Sequence, residues 1–143
     1  MTGAYFDSSA VVKLYANEQH HEAVRALDRV KITSSLALVE VTAAFFGKAR
    51  SGEISIEVAQ VLADTFRADW SEGRFLRVAV DEQIEQDATQ LVCRYALRGF
   101  DAVHLSTANS ARRALADYST FVCFDKKLNE AAVGEQFGLL HTP

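Results

Sequence analysis

Four acidic residues stand out because the sequence around each of them is otherwise apolar or small. Asp7 directly follows the run at 4–6, and Asp125 directly follows the run at 121–124. Both would lie where a strand ends, and in open α/β sheets ligands bind at the carboxyl ends of the strands. If the two strands are neighbours, the carboxylates converge and repel each other unless a cation lies between them. For each acid taken alone, the alternative is a loop position or a helix N-cap.

Glu40 and Asp101 are the other two acids. Glu40 is the only charged residue in the stretch LALVEVTAAFF. At helical spacing it shares a face that should point to the core with Leu36, Ala43 and Ala44. A charge buried there must be paired or bind a ligand. The structural alternative is a glutamate that reaches solvent past its small neighbours or pairs with an arginine. Asp101 begins a helix of apolar or small residues, where capping or the helix dipole is the alternative explanation.

Carboxylates from separate elements favour a site for Mg²⁺ or Mn²⁺. These hard cations take oxygen ligands and retain waters, so three or four carboxylates suit them better than they suit zinc. His104 lies one turn after Asp101 on the same helical face, as a packed, hydrogen-bonded histidine or as a residue that orients a ligand. The sequence contains no GxxxxGKS/T, GxGxxG or GxSxG motif. Metal-dependent chemistry on an anionic substrate is therefore the class that remains.

Short apolar runs alternate with longer stretches of helical periodicity, which predicts an α/β fold with strands connected through helices into a parallel sheet. The predicted strands are 4–6, 31–33, 75–80, 120–124 and 139–142. The predicted helices are 9–17, 21–29, 35–50, 56–71, 82–98, 100–117 and 126–137. The expected helix caps are Ser8 or Ser9, Ser35, Ser55 and Asp81, and the glycines at which helices should end are Gly52, Gly73, Gly99 and Gly138.

Length and composition fit one compact domain over residues 1–143. The 15 basic and 19 acidic residues give a net charge of −4, which argues against binding nucleic acid mainly through bulk positive charge. Cys93 and Cys123 are too few for a disulfide framework or a four-ligand zinc site, and we expect both to be reduced. No stretch is long enough for a membrane span and no signal peptide is visible, so we expect a cytoplasmic protein.

The segments that carry the four acids resemble the PIN-domain ribonucleases, in particular the VapC-type toxins of bacterial toxin–antitoxin pairs. The resemblance rests on YFDSSAVVKLY, on Glu40 within SLALVEV, on RGFDAVHLSTA, and on TFVCFDKKLNEAA followed by Gly138. It covers essentially the whole chain. The acids are separated by 33, 61 and 24 positions, and four such motifs in this order form a fairly specific set.

The resemblance implies a three-layer α/β/α fold around a mostly parallel five-stranded sheet, in the order 3-2-1-4-5. Strands one and four would then be adjacent. The family's catalytic, metal-binding acids map onto Asp7, Glu40, Asp101 and Asp125, which would hold one or two Mg²⁺ or Mn²⁺ ions. The residues expected to support this quartet without binding the metal are Ser8, Ser9, His104 and Asn129. For Asn129, a polar surface position is the alternative.

The same resemblance implies an endoribonuclease that hydrolyses RNA phosphodiester bonds and leaves a 3′-hydroxyl and a 5′-phosphate. Local basic residues would hold the RNA backbone despite the net negative charge, and for each a solvated surface position is the alternative. These residues are Arg98, Arg112, Lys126 and Lys127.

The expected partners are a VapB-type antitoxin, whose C-terminal segment would cover the groove, and a second copy of the chain. Phe45, Phe46, Phe66 and Trp70 could form such a partner surface, but core packing is their expected use. The alternative function is a PIN-like module that binds RNA or a protein without cutting. Clustered like charges disfavour this alternative, because they cost stability that a binding module has no need to give up.

Overall fold

Strands and helices alternate along the chain, as the apolar pattern predicts. The structure is a computed structural model that describes residues 2–115 and 118–140. Within these residues the strands are β1 (Gly3–Phe6), β2 (Val30–Ser34), β3 (Phe75–Val78), β4 (Tyr118–Val122) and β5 (Gly138–Leu139). The helices in the same ranges are α1 (Ser8–Val12), α2 (His21–Arg25), α3 (Ala37–Arg50), α4 (Ile56–Ser71), α5 (Glu82–Tyr95), α6 (Gly99–Ala114) and α7 (Lys126–Gly134).

The five strands form one sheet in the order β3-β2-β1-β4-β5, and every pairing is parallel. This confirms the α/β fold class and the predicted strand order. The strand at the centre, β1, is buried along its whole length, as expected when helices cover both faces of a parallel sheet. The carboxyl ends of the strands therefore meet at one edge of a rigid, two-sided core.

Alternate residues of the strands supply two separate cores. Ala4 and Phe6 face the layer of α1 to α4, whereas Tyr5 faces the layer of α5 to α7 together with Phe121. This alternation is the period of two that a strand imposes on its side chains. Because Tyr5 belongs to the second core, its hydroxyl can reach helix α6, which matters for the site described below.

The aromatic residues of α3 and α4 belong mostly to the first core. Phe45 and Phe66 are fully buried and Trp70 nearly so, with the Phe66 and Trp70 rings edge to face at a centroid distance of 5.6 Å. Phe46 is only partly buried. Core packing is thus confirmed for three of these four residues.

The helix N-caps are partly as predicted. Ser55 and Asp81 accept hydrogen bonds from the backbone N–H three residues further on and cap α4 and α5. The prediction for Ser35 is wrong, since α3 begins after Leu36 without a side-chain cap. The prediction for α1 is also wrong, because Asp7 caps this helix and the serines that follow do not.

Two of the four expected helix-ending glycines do end helices. Gly52 and Gly73 have φ values of +82° and +77°, in the left-handed region that glycine tolerates best. Helix α5 ends early at Ala96, which takes φ +55°, so Gly99 is instead the first residue of α6. Gly138 begins β5. The predicted ends at 116–117 and 141–142 lie outside the described residues, and no described helix is long and apolar enough to cross a membrane.

Candidate metal centre

Asp7 and Asp125 are brought to one edge of the sheet because β1 and β4 are neighbours. The two strands pair up to Phe6 opposite Val122, and the Asp7 N–H extends the ladder by donating to the Val122 carbonyl at 3.2 Å. Asp7 directly follows its strand, as predicted. Asp125 does not directly follow β4, because the strand ends three residues earlier, at Val122.

Asp7 is a buried carboxylate with two uses. Its Oδ1 accepts hydrogen bonds from the Ala10 N–H at 2.9 Å and from the Ser9 hydroxyl at 2.7 Å, so it caps α1. Its side-chain hydrogen bonds with described residues all fall on Oδ1, which leaves Oδ2 available to a ligand. Burial raises the pKa of Asp7 and the charge of Asp101 adds to the rise, although His104 and the cap bonds oppose it.

Glu40 is held by two polar side chains that lie far from it in sequence. The Ser8 hydroxyl donates to Glu40 Oε1 at 2.7 Å, and His104 Nε2 lies 2.8 Å from the same oxygen. Burial would raise the pKa of Glu40, but the hydrogen bonds from His104 and Ser8 and the charge of His104 outweigh burial and lower it. The pairing that Glu40 requires is therefore supplied by a histidine, where the sequence suggested an arginine.

The expected orientation of Glu40 towards the core is wrong. The buried face of α3 consists of Ala37, Val41 and Phe45. Glu40 lies at the flank of that face, and 26% of its side chain is exposed. A carboxylate in this position can be ordered by its partners and still reach a ligand at the sheet edge.

Tyr5 continues the hydrogen-bond chain behind Glu40. Its hydroxyl lies 2.7 Å from His104 Nδ1, and both side chains are buried. Burial raises the pKa of Tyr5 far above its ordinary value, so the hydroxyl stays protonated. The Glu40 carboxylate can only accept, so His104 Nε2 carries a proton and donates to it. Nδ1 accepts from the Tyr5 hydroxyl when the ring is neutral and donates to it when the ring is charged. His104 is thus a packed histidine that also orients an acid of the site.

Asp101, in the first turn of α6, is the least restrained of the four acids. Its carboxylate accepts no hydrogen bond from any described residue. Burial raises its pKa first, and the negative charges of Asp125 and Glu40 add to the rise. Arg98 and His104 act in the opposite direction. The charge of Asp101 is therefore felt at every other acid of the quartet, since it also raises the pKa of Asp7.

The Cys123 thiol gives an independent sign that the acids converge. Burial raises the pKa of this thiol, and the charges of Asp7, Asp125 and Asp101 raise it further. Like charges gathered without a facing cation cost stability, which is the situation that a bound divalent ion relieves.

The donor set fits Mg²⁺ or Mn²⁺ in its chemistry. All four donors are carboxylates, and the side-chain hydrogen bonds of Asp7, Glu40 and Asp125 with described residues each occupy one oxygen only. As placed, no three His, Cys, Asp or Glu side chains in the described ranges are close enough together to hold a metal ion. Coordination by three or four of the carboxylates at once would need a side chain to turn, and Asp101 is the acid that accepts no hydrogen bond from a described residue.

A comparison with protein-family models decides the family. The PIN domain model matches residues 4–134 of this chain. The chain belongs to the PIN domain family. Ribonuclease VapC49 of Mycobacterium tuberculosis is 38% identical over 109 residues, which cover 73% of each chain. Ribonuclease VapC46 of the same species is 30% identical over 135 residues, which cover 92% of each chain.

Solved structures show the same PIN fold. FitAcB from Neisseria gonorrhoeae has a TM-score of 0.66 at 15% identity, over 95% of each chain. Mycobacterium tuberculosis VapC20, described as a sarcin-ricin loop cleaving toxin, has a TM-score of 0.64 at 17% identity, over 90% of this chain and 95% of that one. A toxin–antitoxin complex from Klebsiella pneumoniae has a TM-score of 0.62 at 19% identity, over 87% and 88%.

Asn129 of this PIN domain is buried, so the alternative of a polar surface position is wrong. The side chain is 2% exposed. Its Nδ2 donates to the Cys123 carbonyl at 3.0 Å, and its Oδ1 accepts from the Cys123 thiol at 3.3 Å. The Asn129 side chain therefore fixes the backbone between the end of β4 and Asp125 rather than bonding to a carboxylate. Asp125 Oδ1 in turn caps α7 by accepting from the Leu128 N–H.

The predicted basic residues separate into two groups. Arg98, Lys126 and Lys127 are exposed and lie next to Asp101 or Asp125 in the chain. Arg112 lies three turns further along α6, roughly 16 Å from Asp101 along the axis. It donates to the Glu135 carbonyl at 2.8 Å and stacks on Phe137 at 3.9 Å, so the structure does not bring it to the site.

Two residues near the site could not have been found from the sequence. Tyr5 reads as one more apolar strand residue, and only the alternation of strand faces suggests that it points towards α6. Lys13 reads as a surface lysine, but it is 8% exposed, lies over the Phe124 ring at 4.8 Å and pairs with Glu18 at 2.7 Å. Glu18 also contacts Lys48 at 2.6 Å, so the Lys13 amine belongs to a separate group of charges with Glu18 and Lys48.

Proposed function

We propose that this PIN domain is a VapC-type endoribonuclease that hydrolyses RNA phosphodiester bonds with the aid of Mg²⁺ or Mn²⁺. One observation carries the proposal. Asp101 is electrostatically coupled to the three other acids at the carboxyl edge of the sheet, and its carboxylate has no hydrogen-bond partner among the described residues. The family match and the relatives named Ribonuclease VapC support the same activity.

Asp7, Glu40, Asp101 and Asp125 would hold the cation. When bound, a divalent cation provides a water nucleophile at neutral pH and neutralises the charge that develops on the phosphate. Asp7 would contribute Oδ2 while Oδ1 remains in the α1 cap, which fixes the direction of the side chain. Asp101 would be free to turn towards the cation, and Asp125 is placed by its own cap on α7.

Glu40 would orient the attacking water. Its Oε1 is occupied by Ser8 and His104, which leaves Oε2 to accept a proton from the water. The lowered pKa of Glu40 keeps the carboxylate ionised at neutral pH, as a group that takes a proton from water must be. Attack on the phosphorus with loss of the 3′-oxygen would leave a 3′-hydroxyl and a 5′-phosphate, as the family resemblance implies.

Arg98, Lys126 and Lys127 would attract the RNA backbone to this edge. Their side chains are exposed beside the acids, where they offset part of the repulsion between a phosphate and the carboxylates. Arg112 is left out of this surface, because its guanidinium is engaged at the far end of α6.

We further propose an antitoxin as the protein partner, in a homodimer of the chain or a hetero-oligomer. The support is the fold shared with a toxin–antitoxin complex from Klebsiella pneumoniae and with FitAcB. Light scattering on the purified chain, alone and with a co-expressed candidate antitoxin, measures the assembly directly.

The test is an RNA cleavage assay with Mg²⁺, Mn²⁺ or EDTA, on the wild-type chain and the Asp7→Asn variant. We expect cleavage with either metal, none in EDTA, and none from Asp7→Asn. A calorimetric titration with Mn²⁺ supplies a second readout that needs no RNA. Binding of RNA without cleavage under all metal conditions would favour the alternative, a PIN module that binds without cutting.

A further inference from the structure

A groove of about 740 Å³ opens beside the acids, between α5 and the first turn of α6. Glu40 and Asp101 are among the residues that line it, so the groove is continuous with the proposed catalytic site. Its apolar wall consists of Ala88, Val92 and Val103. Whatever occupies this groove would lie next to the phosphate that the acids act on.

Phe100 stands at the groove with 61% of its surface exposed. In the described part of the chain it is the only aromatic residue among the exposed large hydrophobic side chains, since the others are Val, Ile and Leu. It immediately precedes Asp101. An exposed aromatic ring directly beside reactive groups offers a flat, apolar face to a ligand at little conformational cost.

The charges of the lining indicate which part of an RNA chain the groove would accept. Among the described residues that line it, Arg98 is the only cation, against the carboxylates of Glu40, Glu85 and Asp101. Glu85 has no side-chain hydrogen bond or ion pair with the described residues. With Glu40 and Asp101 assigned to the cation, Glu85 is the carboxylate of the lining that remains to repel a phosphate. A neutral ring that carries N–H donors is compatible with the apolar wall and with the Glu85 carboxylate.

We propose that the groove binds one unpaired nucleobase of the RNA, stacked on Phe100 and flanked by the Arg98 guanidinium. This inference rests on the proposed function, because the base belongs to the nucleotide next to the phosphate that is cut. Unpaired bases are commonly recognised by stacking on aromatic rings and arginine planes. The groove therefore favours single-stranded or looped RNA, since a paired base would first have to be unpaired and unstacked from its helix.

The test measures RNA affinity in the Asp7→Asn chain, which is expected not to hydrolyse its ligand. The probe is a short, labelled single-stranded RNA, read by fluorescence anisotropy, together with versions that carry one abasic position each. The variants are Phe100→Ala and, as a control of equal exposure on α4, Val61→Ala (62% exposed). Because Phe100 lies mostly in solvent, its replacement leaves both cores intact.

We expect Phe100→Ala to weaken binding roughly 5- to 100-fold and Val61→Ala to leave it unchanged. For the Asp7→Asn parent chain, one abasic position in the RNA should weaken binding by a similar factor. For the Phe100→Ala variant, the same abasic position should cause no further loss of affinity. In the Phe100→Trp variant, bound RNA should quench the fluorescence of the new tryptophan. The parent chain, which contains only the buried Trp70, gives the background fluorescence.

Two results would overturn the inference, and they are distinguishable. If the parent binds RNA and Phe100→Ala binds it equally well, the nucleobase site is excluded while the proposed function stands, and a side chain of a protein partner becomes the occupant to examine. If the parent binds no RNA at all, the proposed function fails and the nucleobase site fails with it.

Discussion

Two corners of the acidic site differ in how their carboxylates are held. At the Glu40 corner, one oxygen receives hydrogen bonds from Ser8 and His104, and Tyr5 orients His104 from the core. At the Asp101 corner, no described residue donates a hydrogen bond to the carboxylate. The pKa values follow this contrast, since that of Glu40 is lowered and that of Asp101 is raised.

The difference shows which carboxylate is oriented by hydrogen bonds within the fold and which one lacks such bonds. Glu40 gains its ionised state from side chains that are already in place. Asp101 sits among like charges and burial that both disfavour its ionised form, so an external cation would stabilise that form. The proposed site would thus combine one preorganised carboxylate with one that a bound cation would order.

The largest expected effect comes from removing the unrestrained carboxylate. Asp101→Asn should lower the rate of RNA cleavage by about 10³-fold or more and abolish the heat of Mn²⁺ binding, because the acid coupled to all the others is removed. Single-turnover cleavage and calorimetry measure the two effects. Cleavage within about tenfold of wild type would contradict the role assigned to this corner.

The next largest effect is expected when the hydrogen bond from His104 to Glu40 is removed, which leaves Glu40 less restrained. His104→Ala removes the donor to Glu40 and should cost roughly 10- to 100-fold in Mn²⁺ affinity or cleavage rate, as loss of a ligand-orienting partner usually does. Tyr5→Phe, which deletes only the hydroxyl behind His104, should cost less. Thermal unfolding of both variants shows whether a loss of activity comes from a destabilised fold or from a misplaced Glu40. Equal activity of His104→Ala and wild type would contradict a role of the Tyr5–His104–Glu40 contacts in orienting Glu40.

A stability measurement tests the cost of burying the Asp7 carboxylate, to which the charge of Asp101 adds. Its folded-state pKa is raised, so the ionised form destabilises the fold at neutral pH, and Asp7→Asn should stabilise the fold and raise its Tm by a few degrees. The gain should shrink as pH falls from the raised pKa to the ordinary carboxyl pKa, and vanish below both. An Asn variant that melts below wild type at pH 7 would contradict this.

The smallest effect concerns the exposed lysines beside Asp125. Replacing Lys126 and Lys127 together by Ala should weaken RNA binding severalfold and reduce the salt slope of log K by about 0.7 for each phosphate that is no longer neutralised. Arg112→Gln is the matched comparison, since it should reduce stability by removing the bond to the Glu135 carbonyl without changing that slope. If the double variant keeps the wild-type salt slope, Lys126 and Lys127 do not contact the RNA backbone.

Local patterns predicted the fold class, because apolar runs followed by helical periodicity indicate a parallel α/β sheet. The strand order and the assignment of Asp7 and Asp125 to one site came from the family resemblance, since the patterns alone left a loop or N-cap role open for each acid. The boundaries were less predictable. Helix α5 ends at Ala96 in a left-handed conformation that glycine ordinarily supplies, so the pattern placed the stop at Gly99.

The hydrogen bonds inside the site could not be predicted from the sequence, because they join residues that are far apart along the chain. Tyr5 and His104 are 99 positions apart, and His104 and Glu40 are 64 apart. No local pattern encodes that one hydroxyl and one ring align behind a carboxylate. Asn129 shows the same limit, since its bond to the Cys123 carbonyl depends on how the turn after β4 folds back.

The double use of Asp7 has a consequence for how such a chain can change over generations. Asn can cap α1 with the same oxygen, and a single nucleotide substitution in the codon converts Asp to Asn. Loss of the proposed activity at this position would therefore require no compensating change elsewhere in the fold. A descendant chain that keeps the fold without the proposed catalysis is one mutational step away.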